Sequence, residues 1–98
     1  MTISSNVTAA ITAENTFTDW LTVDKGQRFS TDVWGTFVGV VTLQKSYDGG
    51  TTILDDPTTI TAPAAEISLP LAETTNYRIG IKTSGYTSGT ANVRLGRG

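Results

Sequence analysis

Two segments near the C-terminal end alternate apolar and polar residues with a period of two, and that period is what most limits the fold. In "NYRIGIKT", Tyr77, Ile79 and Ile81 alternate with Arg78, Gly80 and Lys82; in "ANVRL", Ala91, Val93 and Leu95 alternate with Asn92 and Arg94. Successive side chains of a strand point to opposite faces, so each segment reads as a strand with one buried face. The intervening "SGYTSG" supplies turn residues, and the expectation is an antiparallel hairpin.

The rest of the chain reads the same way. Residues 1–6 are polar and are expected to form an arm. Strands are expected over residues 7–13 and 16–23, the second with a bulge or register change where its alternation breaks at Trp20 and Leu21. Asp24, Lys25 and Gly26 form a turn, followed by a strand over residues 27–34 with Phe29, Thr31 and Val33 on one face and Arg28, Ser30, Asp32 and Trp34 on the other. Residues 37–47 are the longest strand candidate, with the face holding Val41 and Leu43 inward. Residues 52–55 can pair back as a short strand. Pro57 and Pro63 bracket another short piece, and Pro63 disfavours a central strand there. Residues 66–69 form a strand ending at Pro70, residues 7–95 form the domain, and residues 96–98 are a tail.

Composition supports an all-β chain. Nineteen of the 98 residues are threonine, whose β-branched carbon suits a strand and whose hydroxyl suits a solvated face. Seven or eight short strands in one domain point to a sandwich, expected to be immunoglobulin-like or fibronectin-like; a jelly roll is the alternative, but usually needs more chain. Leu69, Pro70 and Tyr77 are placed as in a tyrosine corner, where the hydroxyl bonds back to the preceding loop.

The absent residue types narrow function. With no histidine and no cysteine there is no Ser-His or Cys-His pair, no imidazole or thiolate metal site and no disulfide. Glu14, Asp19, Asp24, Glu66 and Glu73 lie beside turns and read as a solvated rim. The expectation is a non-enzyme without a cofactor. A net charge of −2 and seven scattered basic residues give no basic stripe for nucleic acid, and no segment has the length of a membrane helix.

One stretch, "QKSYDGGTTI", could carry chemistry. Gly49 and Gly50 can take the positive φ that tight hairpins demand, Asp48 can close an Asx-turn, and Ser46 and Thr51 can add side-chain bonds across the mouth. The pattern Ser46-x-Asp48-Gly49-Gly50-x-Thr52 resembles the Asp-box hairpin of sialidase-like propellers, occurring once and without implying their activity. A structural turn is the favoured reading. Asp48, Asp55 and Asp56 could supply calcium ligands, though their spacing matches no EF-hand loop. Trp20, Trp34, Tyr47 and Tyr86 could instead provide a sugar-stacking platform.

"VVTLQKSYDGGTTI" followed by "NYRIGIKTSGYTSGTANVRLG" resembles small β-sandwich structural proteins of tailed bacteriophages, in which a Leu-Gln-basic-Ser-aromatic-Asp-Gly-Gly hairpin precedes a Tyr-Arg-Ile-Gly strand and a Ser-Gly hairpin. The similarity covers residues 26–95. It implies a virion component made in the host cytoplasm, expected to be a capsid decoration (cement) protein that clamps the major capsid protein, as a homo-oligomer with a trimer favoured. The alternative is a tail or head-fibre part that binds host-surface carbohydrate. Trp20, Trp34, Phe37 and Tyr86 are the expected interface residues, with residues 1–7 and 96–98 against neighbouring chains.

Overall fold

The computed structural model describes residues 5–68 and 73–97. Among these the chain is all-β, with strands β1 (Ser5–Ile11), β2 (Thr16–Phe17), β3 (Leu21–Val23), β4 (Phe29–Trp34), β5 (Phe37–Gly39), β6 (Val41–Ser46), β7 (Leu54–Ile60), β8 (Ala64–Ser68), β9 (Thr75–Ile81), β10 (Tyr86–Gly89) and β11 (Ala91–Arg97). The first sheet has the order β1-β11-β4-β8; the second has the order β2-β9-β6-β7 with β3 also on β9; β5 and β10 form a two-stranded ribbon. Every pairing is antiparallel.

β2 and β3 are one interrupted strand. Thr16 and Phe17 face Ile81 and Gly80, whereas Leu21, Thr22 and Val23 face Tyr77, Asn76 and Thr75, a slip of one residue that confirms the break expected at Trp20 and Leu21. Thr18 carries the ladder across the slip: its N–H donates to Ile79 O (2.9 Å) and its Oγ1 accepts from Ile79 N–H (3.2 Å).

With β2 and β3 counted together, successive long strands alternate between the two sheets, except that β6 and β7 are neighbours in one sheet. That order is a jelly roll. In an immunoglobulin-like sandwich the first two strands share a sheet; here β1 pairs with β11, so the immunoglobulin-like arrangement is replaced. The jelly roll fits a short chain because the crossings themselves are short.

The same order corrects the expected C-terminal hairpin. β9 pairs with β2, β3 and β6, while β11 pairs with β1 and β4; "SGYTSG" does open in a tight turn at Ser84, but its residues 86–89 then form β10 of the ribbon. Two strands that both turn an apolar face inward show the same alternation whether they pair edge to edge or face each other across a core. Tyr77, Ile79, Ile81, Val93 and Leu95 are all buried as expected. Arg78 and Arg94 point outward, but from different sheets.

Several boundaries move. β1 begins at Ser5, and β11 runs through Gly96 and Arg97, which pair with Asn6 and Ser5, so these residues are neither arm nor tail. The long strand over residues 37–47 divides at Val40 into β5 and β6. Pro57 lies inside β7, tolerated because β7 is an edge strand and its register against β6 is irregular between Thr42 and Gln44. β8 opens directly after Pro63, also at an edge. Met1 to Ser4, the loop expected to form the tyrosine corner (69–72) and Gly98 lie outside the described residues.

One apolar layer joins the sheets. Ile11, Val93 and Leu95 of the first sheet and Val41, Ile79 and Ile81 of the second have no exposed surface, and Phe29 stacks on Tyr77 across the layer at 4.4 Å. Replacing Ile79 with Ala should lower unfolding stability by about 2–5 kcal/mol. Urea unfolding monitored by tryptophan fluorescence checks this; a loss below about 1 kcal/mol would mean that the layer collapses around the gap.

Candidate functional site

The β6–β7 connection is the one place among the described residues where long strands reverse within a sheet, and its turn is built from its own hydrogen bonds. Ser46 Oγ, fully buried, accepts from Gly50 N–H (2.8 Å) and donates to Asp48 Oδ1 (2.7 Å); the same Oδ1 accepts from Thr52 N–H (2.8 Å). Gly49 and Gly50 take φ of 75° and 100°. A Cβ on Gly50 would also stand 3.2 Å from Trp20 Nε1, so this glycine seats the tryptophan as well as the turn. The Thr52 N–H, then the Ser46 hydroxyl, hold the Asp48 carboxyl down at about 2, against an ordinary 3.8.

Trp20 leads to a cluster on the outer face of the second sheet. The Arg78 guanidinium lies 4.3 Å from the Phe17 ring and 4.8 Å from the Trp20 ring, and burial between them lowers its pKa. Gly80 makes this possible, because a Cβ there would come within 2.6 Å of Phe17 Cα. Arg78 Nε donates to Gln44 Oε1 (2.9 Å), Gln44 Nε2 donates to Asp55 Oδ1 (2.9 Å), and Lys82 Nζ meets Asp55 Oδ2 at 2.6 Å. Lys82, then Gln44, lowers the Asp55 pKa. The chain of contacts spans three neighbouring strands and covers the outer face of β6. Thr42, Gln44 and Ser46 are therefore buried along with Val41 and Leu43, and β6 has two covered faces rather than the one expected.

Beside this network an open depression of about 290 Å³ is lined by Val40, Thr42, Asp55, Asp56, Thr59, Lys82 and residues 83–85. Its lining is rich in hydroxyls, with the Lys82–Asp55 ion pair at one side.

The expected aromatic residues do not gather into one platform. Trp20 is half-buried against Arg78 on the second sheet, Trp34 is 47% exposed at the end of β4 in the first, and Tyr47 is exposed at the hairpin end of β6. Phe37 and Tyr86 are half-buried in the ribbon and pack against the core, where Tyr86 Oη donates to Gly89 O (2.9 Å). Trp34, Val38 within β5 (58% exposed) and Val40 between β5 and β6 are exposed apolar side chains.

Of the expected rim carboxylates, Glu14 is exposed but accepts from Ser84 N–H (2.9 Å), tying two crossings together. Asp19, Asp24 and Glu73 are exposed. Among the described residues no group of three or more acidic side chains is placed to hold a metal ion. Sequence reasoning missed Phe17, Gln44 and Arg78 as a unit, since they lie on different strands; the outward register of Gln44 and Arg78 was the available signal.

Comparison with protein-family models, with curated proteins and with solved structures finds no match.

The Asp48 bonds need the ionised carboxylate, and its folded pKa is depressed. The stability they add is complete above the unfolded value near 3.8 and fades as pH falls toward about 2. Asp48→Asn should lower the urea midpoint at pH 7, and the gap to the wild type should shrink steadily between pH 4 and pH 2; a gap independent of pH would exclude the carboxylate as its source. Gly50→Val should cost about 1–3 kcal/mol through its forced positive φ, and a chelator should leave the melting temperature unchanged. A rise of several degrees on adding calcium would instead assign the turn to metal binding.

Proposed function

We propose that the protein is a virion structural protein of a tailed bacteriophage, a non-enzymatic capsid decoration domain that binds the major capsid protein at many equivalent positions. The observation that carries this reading is that large apolar side chains stay exposed outside the buried layer: Trp34 at the end of β4 and Val38 in the β5–β10 ribbon are 47% and 58% exposed. Tryptophan in a desolvated contact is a common source of binding energy. Two further features support it. The β6–β7 hairpin and the β9 to β11 segments are the parts of the chain that resemble phage structural proteins. The jelly roll is also an architecture of capsid domains, although a fold by itself hosts many functions.

Clamping suits such a molecule on physical grounds. A small, thiol-free sandwich needs no redox chemistry to fold, and modest contacts are multiplied when one subunit is repeated over a lattice. The jelly roll is shared with lectins, and the hydroxyl-lined depression by Asp55 and Lys82 is the feature that favours the carbohydrate-binding alternative.

Purified particles distinguish the two. Mass spectrometry should find the protein in numbers comparable with the major capsid protein, and particles lacking it should release DNA at lower temperature. Trp34→Ala should weaken binding to bare capsids roughly tenfold or more, with little change in the melting temperature of the free protein. A few copies per particle, or depleted particles that resist heat normally and fail only to adsorb to cells, would reject the clamp in favour of receptor binding.

A further inference from the structure

A sheet edge exposes unpaired N–H and C=O groups, and proteins guard edges with short strands, bulges, proline or charge. The two long sheets here end in β1 and β8, and in β2/β3 and β7. β7 carries Pro57, Asp55 and Asp56 and an irregular register. The β2/β3 edge is cut into pieces of two and three residues with a slip between them. β8 is five residues long, follows Pro63 and includes Glu66. β1 has none of these devices. It is seven residues long, in unbroken register with β11, and its sequence SNVTAAI contains no charge, proline or glycine. Among the described residues nothing is hydrogen-bonded to its second edge.

The core is also open on that side. Val7 and Ala9 point inward and pack against the core, yet both remain only partly buried, while Ile11 further along the same strand is fully buried. The outward face of β1 is formed by Asn6, Thr8 and Ala10, all exposed.

We propose that β1 is a docking edge for a second copy of this chain, pairing antiparallel with its own counterpart across a two-fold axis near Thr8. Such an axis sets Thr8 against Thr8, Asn6 against Ala10 and Val7 against Ala9, with both inward pairs continuing the apolar layer. Self-pairing places residues opposite their own kind, so any charge at the centre of the strand would meet a like charge. A self-pairing edge therefore needs a neutral residue at its centre, as Thr8 is, whereas a foreign strand could complement a charge there. The first sheets of two molecules become one continuous sheet of eight strands, four from each chain. A ribbon of seven residues, roughly 24 Å long, buries less than the roughly 800 Å² per partner of a standard interface. The dimer is therefore weak in dilute solution and is favoured where copies are crowded.

Sedimentation velocity on the whole chain from about 1 μM to about 1 mM should show a reversible monomer–dimer equilibrium. Thr8→Lys, on the exposed face, should raise the dissociation constant at least tenfold, while Thr59→Lys on the guarded β7 edge should leave it unchanged. Hydrogen exchange adds a readout independent of any variant: amides of β1 should become slower to exchange as concentration rises, and those of β7 should not. A wild type that stays monomeric at 1 mM, β1 exchange that ignores concentration, or a dimer or trimer equally stable with Thr8→Lys would each overturn the proposal. Should Thr8→Lys fail to fold, Thr8→Glu, which also sets like charges opposite each other at the axis, and the wild-type exchange experiment decide the matter.

Discussion

Each long sheet has one apolar face, and among the described residues that face is covered mainly by the other sheet, with Phe37 and Tyr86 of the ribbon packed against the same core. The layer between them is the interaction on which the remaining structure depends. The chain has no cysteine, so no disulfide supplements it. Ile11, Val93 and Leu95 meet Val41, Ile79 and Ile81 with no exposed surface, and Phe29 on Tyr77 ties an outer row of the same layer. A chain that crosses between sheets at nearly every connection cannot lose one sheet and keep the other. Most contacts that close the core are separated widely along the sequence, the arrangement that makes small domains fold slowly.

The outer face of the second sheet is organised by a different principle. β6 has a strand on either side, β9 and β7, so its outward residues have neighbours on both flanks. Gln44 there is 7% exposed, and a buried amide needs partners. Arg78 and Asp55 supply them from the two neighbouring strands, and Phe17 and Trp20 cover the arginine in turn. The same Trp20 rests against Gly50, so this polar-aromatic cover and the Asp48 turn form one unit. A glycine turn that reads as structural in the sequence is thereby connected to the support of a central strand.

The molecule separates its guarded from its unguarded surfaces. Bulges, proline and charge sit on three edges of the long sheets, and the apolar side chains of Trp34, Val38 and Val40 remain exposed. Guarded edges resist association and unguarded apolar or edge surface permits it, so such a division would set the geometry of any assembly.

What the sequence by itself determined was local. Alternation placed Tyr77, Ile79, Ile81, Val93 and Leu95 inward, the break at Trp20 and Leu21 marked the slip between β2 and β3, and Ser46, Asp48, Gly49 and Gly50 identified a turn that bonds to itself. Each of these is set by the two-residue period of a strand or by the φ preference of a single residue. Only the tertiary structure decided which strands pair. Period two states which face is buried and is silent about whether the next strand lies beside it or across the core, so β9 and β11 read as a hairpin and in fact belong to opposite sheets. The cluster of Phe17, Gln44, Asp55 and Arg78 was hidden for the same reason: its members are far apart in sequence, and strand order alone brings them together.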